Sequence, residues 1–201
     1  MDLNKIYNLD CEKGIEKLED NSVDLLLTDP PYGIGDKTKL TKVGDKIVSN
    51  NDAWGKKYKD EWNDIDLYFK WLIDIVNKTK PKLKNNGSLI MFLDRKWTGY
   101  FIYVLEQHGW KFRNKIYFEK SNPIPHFRKN NYRSTVEEAI WFTKTKDYKI
   151  NFVGQREMKQ VFKGSIGSNK TTKHPNEKYD WMIKPLIKRH SNKGDTVLDL
   201  F

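Results

Sequence analysis

At 201 residues, 37% of them hydrophobic and 13% aromatic, the chain is long enough for one domain with a substantial core. A single cysteine, Cys11, excludes an internal disulfide framework. With no apolar run near the roughly 18 residues of a membrane helix, and no secretory segment after Met1, this fits the reducing cytoplasm. The formal charge of +10 is uneven: residues 111–193 hold 20 Lys+Arg against 7 Asp+Glu, the remainder 17 against 20.

A basic half suggests a surface that faces a polyanion, where neutralised phosphates supply affinity. A solubilising lysine-rich composition would read the same way. The histidines (His108, His126, His174, His190) lack ligand spacing, which argues against a structural metal.

In chain order, Lys5–Asp10 reads as a short strand and Cys11–Leu18 as a short helix, with Ile15 and Leu18 inward and Asp10 suited to cap it. Asp20-Asn21-Ser22 is the turn into Val23–Leu27, an aliphatic run expected of a strand buried on both faces of a parallel sheet. Pro30 and Pro31 follow; neither can donate to a ladder, so pairing stops there. Asp29 and Tyr32 are thereby held on a stiff lip at the carboxyl end of a strand, where open α/β sheets bind ligands.

A carboxylate, an exposed carbonyl and a flat ring on one lip suit a planar exocyclic amine. Asp29 would accept one amine hydrogen and the Pro30 carbonyl the other, while Tyr32 stacks on the base. An amine so held is oriented to attack an electrophilic methyl group in line. A proline-stiffened turn capped by Asp29 is the bland alternative.

Residues 33–62 are polar, with seven lysines, Trp54 and Trp62; a loop this long is usually functional or a mobile solvated segment. Asp64–Leu83 carries an amphipathic pattern through Leu67, Phe69, Leu72, Ile73, Ile75, Val76 and Leu83, and Asn85-Asn86-Gly87 reads as its stop. Ser88–Asp94 is a second buried strand, Trp97–Gln107 a helix closed by His108-Gly109, and Trp110–Lys120 a third strand. This alternation predicts a doubly wound, mostly parallel α/β sheet. Glu137–Thr143, with no helix before it, is expected to pair antiparallel. Between those strands, prolines 123 and 125 predict an extended loop carrying Lys120, Arg128, Lys129 and Arg133 as phosphate contacts. His126 and Phe127 are candidates to stack on an unpaired base. Residues 146–173 have few apolar anchors and read as a linker or a small recognition segment; His174 opens a helix to about His190, kinked at Pro185. Asn192–Asp195 is a turn and Thr196–Phe201 a final strand.

Asp29-Pro30-Pro31-Tyr32 resembles the catalytic motif of the amino-group DNA methyltransferases, and its aspartate form is most similar to the adenine-N6 enzymes. Segments in the order of the family's β-type members run through the whole chain. The resemblance implies a Rossmann-like fold, S-adenosylmethionine as methyl donor, double-stranded DNA as substrate and a flipped target base. Residue by residue, it places Asp29, Pro30, Pro31 and Tyr32 in catalysis and Asp10, Cys11, Asp29, His174, Lys178, Asp199 and Phe201 around the cofactor. Lys120, Asn122, His126, Arg128, Lys129 and Arg133 fall near the DNA. The segment from His174 to Lys178 departs from the family in having Tyr179 where a proline is usual. The family's Gly-x-Gly loop would follow Phe201, the last residue here. A sheet incomplete at that end, weak activity and a homodimer covering the edge are therefore expected. A cognate restriction endonuclease is an expected partner. Cytosine-N4 transfer and a non-catalytic DNA-binding remnant are the alternatives.

Overall fold

The computed structural model describes residues 1–32, 42–43, 46–47, 62, 64–127, 129–167 and 177–201. Its centre is β1 (Val23–Thr28), with all six residues buried. Side chains alternate across a strand, so Leu25 and Leu27 face one apolar cluster and Leu26 the other. β4 (Leu83–Leu93) does the same, sending Ile90 and Phe92 to the first cluster and Leu89, Met91 and Leu93 to the second. Burying one such side chain contributes about 1.5–3 kcal/mol, which explains why these continuous apolar runs fold as the middle of the sheet.

Further strands are β5 (Lys111–Lys120), β6 (Val136–Thr143), β7 (Val161–Gly164) and β8 (Val197–Leu198), with a two-stranded hairpin of β2 (Lys42–Val43) and β3 (Lys46–Ile47) apart from them. The six-stranded order is β7-β5-β6-β4-β1-β8. β1 pairs parallel with β4 and β8, β5 parallel with β7, and β6 antiparallel to both β4 and β5. The mostly parallel sheet with one antiparallel strand is thus the expected one. On one face lie α1 (Cys11–Glu16), α2 (Ile65–Thr79) and α3 (Thr98–Gln107); on the other, α4 (Asp180–His190).

Five local expectations are corrected. Residues 5–10 form no strand: Ile6 and Leu9 are exposed and Asn4 has φ +58°. Three apolar side chains with no sheet beneath them cannot hold one. On α2 the buried face is Tyr68, Phe69, Leu72, Ile75 and Val76, while Leu67 is exposed and Leu83 belongs to β4. The helix stops at Thr79 because Pro81 has no N–H to continue it. Asn85-Asn86-Gly87 is no stop but an irregular stretch inside β4, where the register jumps from Val23↔Leu83 to Leu25↔Ser88. A Cβ on Gly87 would lie 2.8 Å from Leu83 and 2.9 Å from the Asp24 carbonyl, so glycine permits the close approach there. The segment after 146 is no free linker: Tyr148 and Ile150 pack under α4, and β7 extends the sheet. Finally, α4 begins only at Asp180 after an extended Tyr179. It runs through Pro185, whose missing N–H leaves the Trp181 carbonyl without its helical donor. Among the described residues, no helix is long and apolar enough to cross a membrane.

Candidate active site at the carboxyl end of the central strand

β1 ends at Thr28, and the lip Asp29-Pro30-Pro31-Tyr32 follows directly. It is pinned from three sides. Tyr68, fully buried on α2, donates its hydroxyl to the Pro31 carbonyl at 2.8 Å. Thr28 donates to Asp199 Oδ1 at 2.8 Å and accepts from the Leu200 N–H at 3.3 Å, tying the ends of β1 and β8 together. Lys178, extended ahead of α4, reaches back with its ammonium 2.7 Å from Asp29 Oδ2.

Both oxygens of Asp29 are therefore engaged, because Tyr32 donates its hydroxyl to Oδ1 at 2.8 Å. Lys178 Nζ also donates to the Tyr32 oxygen at 3.0 Å and lies 5.3 Å from the centre of its ring. Burial first, and Asp29 second, push the Tyr32 phenol far above its usual range, so it stays protonated and donating. Beyond Lys178 stands Glu137 at the start of β6, its Oε2 3.6 Å from Lys178 Nζ and its Oε1 2.8 Å from Lys120 Nζ. Burial opposes ionisation of Glu137, but Lys178 and Lys120 outweigh it and its pKa is lowered. The four charges alternate in sign along a line, with the two lysines only 14% and 16% exposed. Solvent screens such a chain far less than a surface pair.

Against this chain opens a cavity of about 740 Å³. Tyr32 and Lys178 form one wall; the end of β4 (Leu93 to Arg95), the loop 122–125 and the start of β6 form the others, with Met182 of α4 below. Asp94 holds the turn ahead of α3 by accepting from the Lys96 N–H at 2.8 Å. Glu138 is held by Lys115 at 3.1 Å and by the Thr98 hydroxyl at 3.0 Å.

Other predicted residues are placed as follows. Lys120 lines the cavity with its amine committed to Glu137. Asn122 also borders it, but its amide makes two 2.7 Å bonds to the backbone of Ile166, clamping the loop to the segment after β7. His126 is half-buried and its Nδ1 has no partner; Phe127 and Lys129 are exposed. Arg133 donates to the Pro123 carbonyl. Asp10 caps α1, accepting from the Glu12 and Lys13 N–H groups at 3.0 and 3.4 Å. Cys11 follows it, its thiol pushed up by burial and then by Asp10; neither residue borders the cavity. Arg128, His174 and most of the loop 33–62 lie outside the described residues.

Asp199 and Phe201 lie beside the lip rather than in the cavity. Asp199 is exposed at its outer side, yet its Oδ1 points inward to Thr28. Burial of that edge first, and Asp29 further down, raise its pKa. The Phe201 ring packs edge-on against Trp71, 5.7 Å between centres, and Trp71 against Trp62 at 5.2 Å.

Four residues that matter here were not singled out from the sequence: Thr28, Tyr68, Glu137 and Glu138. The one signal available was Glu137-Glu138 opening an otherwise apolar strand, since acids beside a buried run need partners.

A two-sided α/β sheet with a carboxylate-proline lip at the carboxyl end of its central strand has the usual place for a ligand site in such folds, and the comparisons name the family. A family profile described as DNA methylase matches residues 23–201. The chain belongs to that DNA methylase family. It is 24% identical over 216 residues to the type II methyltransferase M.HinfI of Haemophilus influenzae, covering 99% of this chain but 59% of that protein. It is 26% identical over 219 residues to M2.DpnII of Streptococcus pneumoniae, covering 98% of this chain and 76% of that protein. Among solved structures, an M1.HpyAVI–SAM complex superposes with TM-score 0.66 at 22% identity, covering 98% of this chain and 81% of that one. The cytosine-N4-specific PvuII DNA methyltransferase gives 0.69 at 17% identity, covering 96% and 72%. Both share this fold.

Proposed function

We propose that this chain transfers a methyl group from S-adenosylmethionine to the N6 amine of an adenine flipped out of double-stranded DNA. The observation that carries the reading is the Asp29 carboxylate, presented on a proline-stiffened lip and held by Tyr32 and Lys178, which line a cavity of about 740 Å³. The family and the type II methyltransferase relatives support it. In this reading Asp29 and the Pro30 carbonyl accept the two amine hydrogens, and Tyr32 offers its ring to the base. As nitrogen forms its new bond, the proton it sheds leaves towards Asp29.

The residues beside the lip fit the donor. Asp29 and Asp199 are carboxylates on adjacent strand ends that oppose each other's charge, a setting that favours a cation between them. Phe201 and Trp71 offer rings for a flat heterocycle. When bound, the donor supplies an electrophilic methyl on a sulfonium, whose C–S pair returns to sulfur. Asp199, Phe201 and Asp29 would hold it.

For DNA, support comes from the basic half and from exposed Ile124, Phe127, Lys129, Tyr132 and Arg133 on the loop flanking the cavity. A cytoplasmic location, a cognate restriction endonuclease and a second copy over the β8 edge complete the reading. Cytosine-N4 transfer is the second reading, since the same carboxylate and carbonyl would hold that amine.

The test is transfer from deuterium-labelled S-adenosylmethionine to unmethylated plasmid DNA, followed by nucleoside mass spectrometry. Labelled N6-methyldeoxyadenosine is expected. Label in N4-methyldeoxycytidine selects the second reading, and DNA binding without label leaves only a DNA-binding remnant.

A further inference from the structure

The Asp29 carboxylate that should receive the base is already occupied, by Tyr32 at one oxygen and Lys178 at the other. A neutral amine approaching Oδ2 competes there with the Lys178 ammonium, and it meets the full charge of that oxygen only once the ammonium has moved aside. A lysine that is 14% exposed cannot be left without a counter-charge. One lies within reach. Glu137 Oε1 is taken up by Lys120 at 2.8 Å, while Oε2 faces Lys178 Nζ at 3.6 Å, too long for a hydrogen bond and short enough to attract. A shift of about 1 Å would bring Nζ to ordinary charge-assisted distance. Nζ already has Tyr32 oxygen as a second acceptor 3.0 Å away, so the path between the two carboxylates is bridged.

We infer that Lys178 is a movable counter-ion, passed from Asp29 to Glu137 when the target amine enters, and that Glu137 is the positioning residue that makes this move possible. The inference rests on the methyltransfer reading of the site and deepens it. The quartet Asp29, Lys178, Glu137 and Lys120 is neutral before the move and neutral after it, so no net charge enters a poorly solvated place. The latch also gives the free site a defined closed state: the Asp29 carboxylate stays masked until a better-oriented donor displaces the ammonium. Lys120 has its own part in this. By saturating Oε1, it orients Glu137 so that Oε2 faces the lip.

Two experiments decide it. In the first, single-turnover methyl transfer to unmethylated plasmid DNA is measured for the wild type, Glu137→Gln, Lys178→Gln and the double variant. Removing the receiving charge should slow Glu137→Gln about tenfold, as pairs acting through a shared partner do. Its KM for DNA, set mainly by phosphate contacts, should stay within about twofold. In the Lys178→Gln background the same change should cost less than about twofold. Equal slowing in both backgrounds, or none in either, would overturn the inference while leaving methyl transfer intact. In the second, a crystal structure of Asp29→Asn needs no activity. With the acceptor charge gone, Lys178 Nζ is expected about 3 Å from Glu137 Oε2; an ammonium that stays at residue 29 contradicts the hand-over. Absence of transfer by the wild type would count against the methyltransfer reading alone, and the second experiment would still decide the latch.

Discussion

The two ends of β1 carry the same residue type in opposite conditions. Asp24, at the amino end, is 3% exposed and fully used: Lys84 lies 2.7 Å from Oδ2, Lys149 3.1 Å from Oδ1, and the Thr196 N–H donates at 3.0 Å. Lys149 also pairs with Asp195 at 2.6 Å, so one buried aspartate ties together β1, β4, the segment before β7 and the turn into β8. Asp29, four residues from the first strand-core leucine, is a third exposed and, among the described residues, is held by two side chains and no backbone donor. Backbone donors and paired lysines make Asp24 a rivet. Side-chain partners on a cavity wall make Asp29 exchangeable. A carboxylate in a strand is thus not in itself a site; the identity of its donors decides.

Breaking the rivet should produce the largest loss of stability. Asp24→Asn leaves Lys149 with Asp195 alone and strands Lys84, and we expect about 3 kcal/mol off the unfolding free energy in urea, the usual cost of breaking a buried pair. Burial penalises the charge of Asp24, but Lys84, the Thr196 N–H and Lys149 outweigh that and lower its pKa. Its contribution is therefore whole above the ordinary carboxylate range and drains as pH falls through its depressed value.

A second acid-sensitive group is His190, the last residue of α4. His190 is 4% exposed against Trp141, and burial, then Arg189, lowers its pKa from 6.5 to about 4. Between those values the unfolded chain binds a proton that the folded chain refuses, so stability should fall as pH drops from 6.5 to 4. The loss should total about 3 kcal/mol. His190→Leu should flatten that slope, as read from urea midpoints across the range; an unchanged slope would assign it elsewhere.

Smaller effects test the packing that aims the lip. A Cβ at Gly164 would meet the Trp181 ring at 2.3 Å, so Gly164→Ala should cost about 1–3 kcal/mol as α4 is pushed off β7. Tyr68→Phe removes the hydroxyl that bonds the Pro31 carbonyl, about 1 kcal/mol by thermal unfolding. It should nonetheless slow methyl transfer more than that loss suggests, because the lip is what it holds.

What could be read beforehand divides along the same line. Local pattern revealed the buried strand Val23–Leu27, the break at Pro30-Pro31, the helix over 97–107 and the antiparallel direction of Glu137–Thr143, because each is set by neighbours in sequence. The partners of Asp29 were not legible. Lys178 is 149 residues away, and nothing near it signals that its amine serves the lip rather than a cofactor. Glu137 was visible as an acid in a strand but not as a counter-charge. The misread stretches share a cause as well. Asn85-Asn86-Gly87 has turn chemistry yet serves a close approach of two strands, and Ile6-Tyr7-Leu9 has strand chemistry with no sheet beneath it.

The central claim is that Asp29 acts on substrate while Asp24 only holds the sheet. The most direct test is the single-turnover methyl-transfer rate of Asp29→Ala, with its unfolding free energy measured on the same sample. The account predicts a fall of about 10³-fold or more with a stability loss smaller than that of Asp24→Asn. A rate retained to within about tenfold, in a protein equally stable, would contradict it.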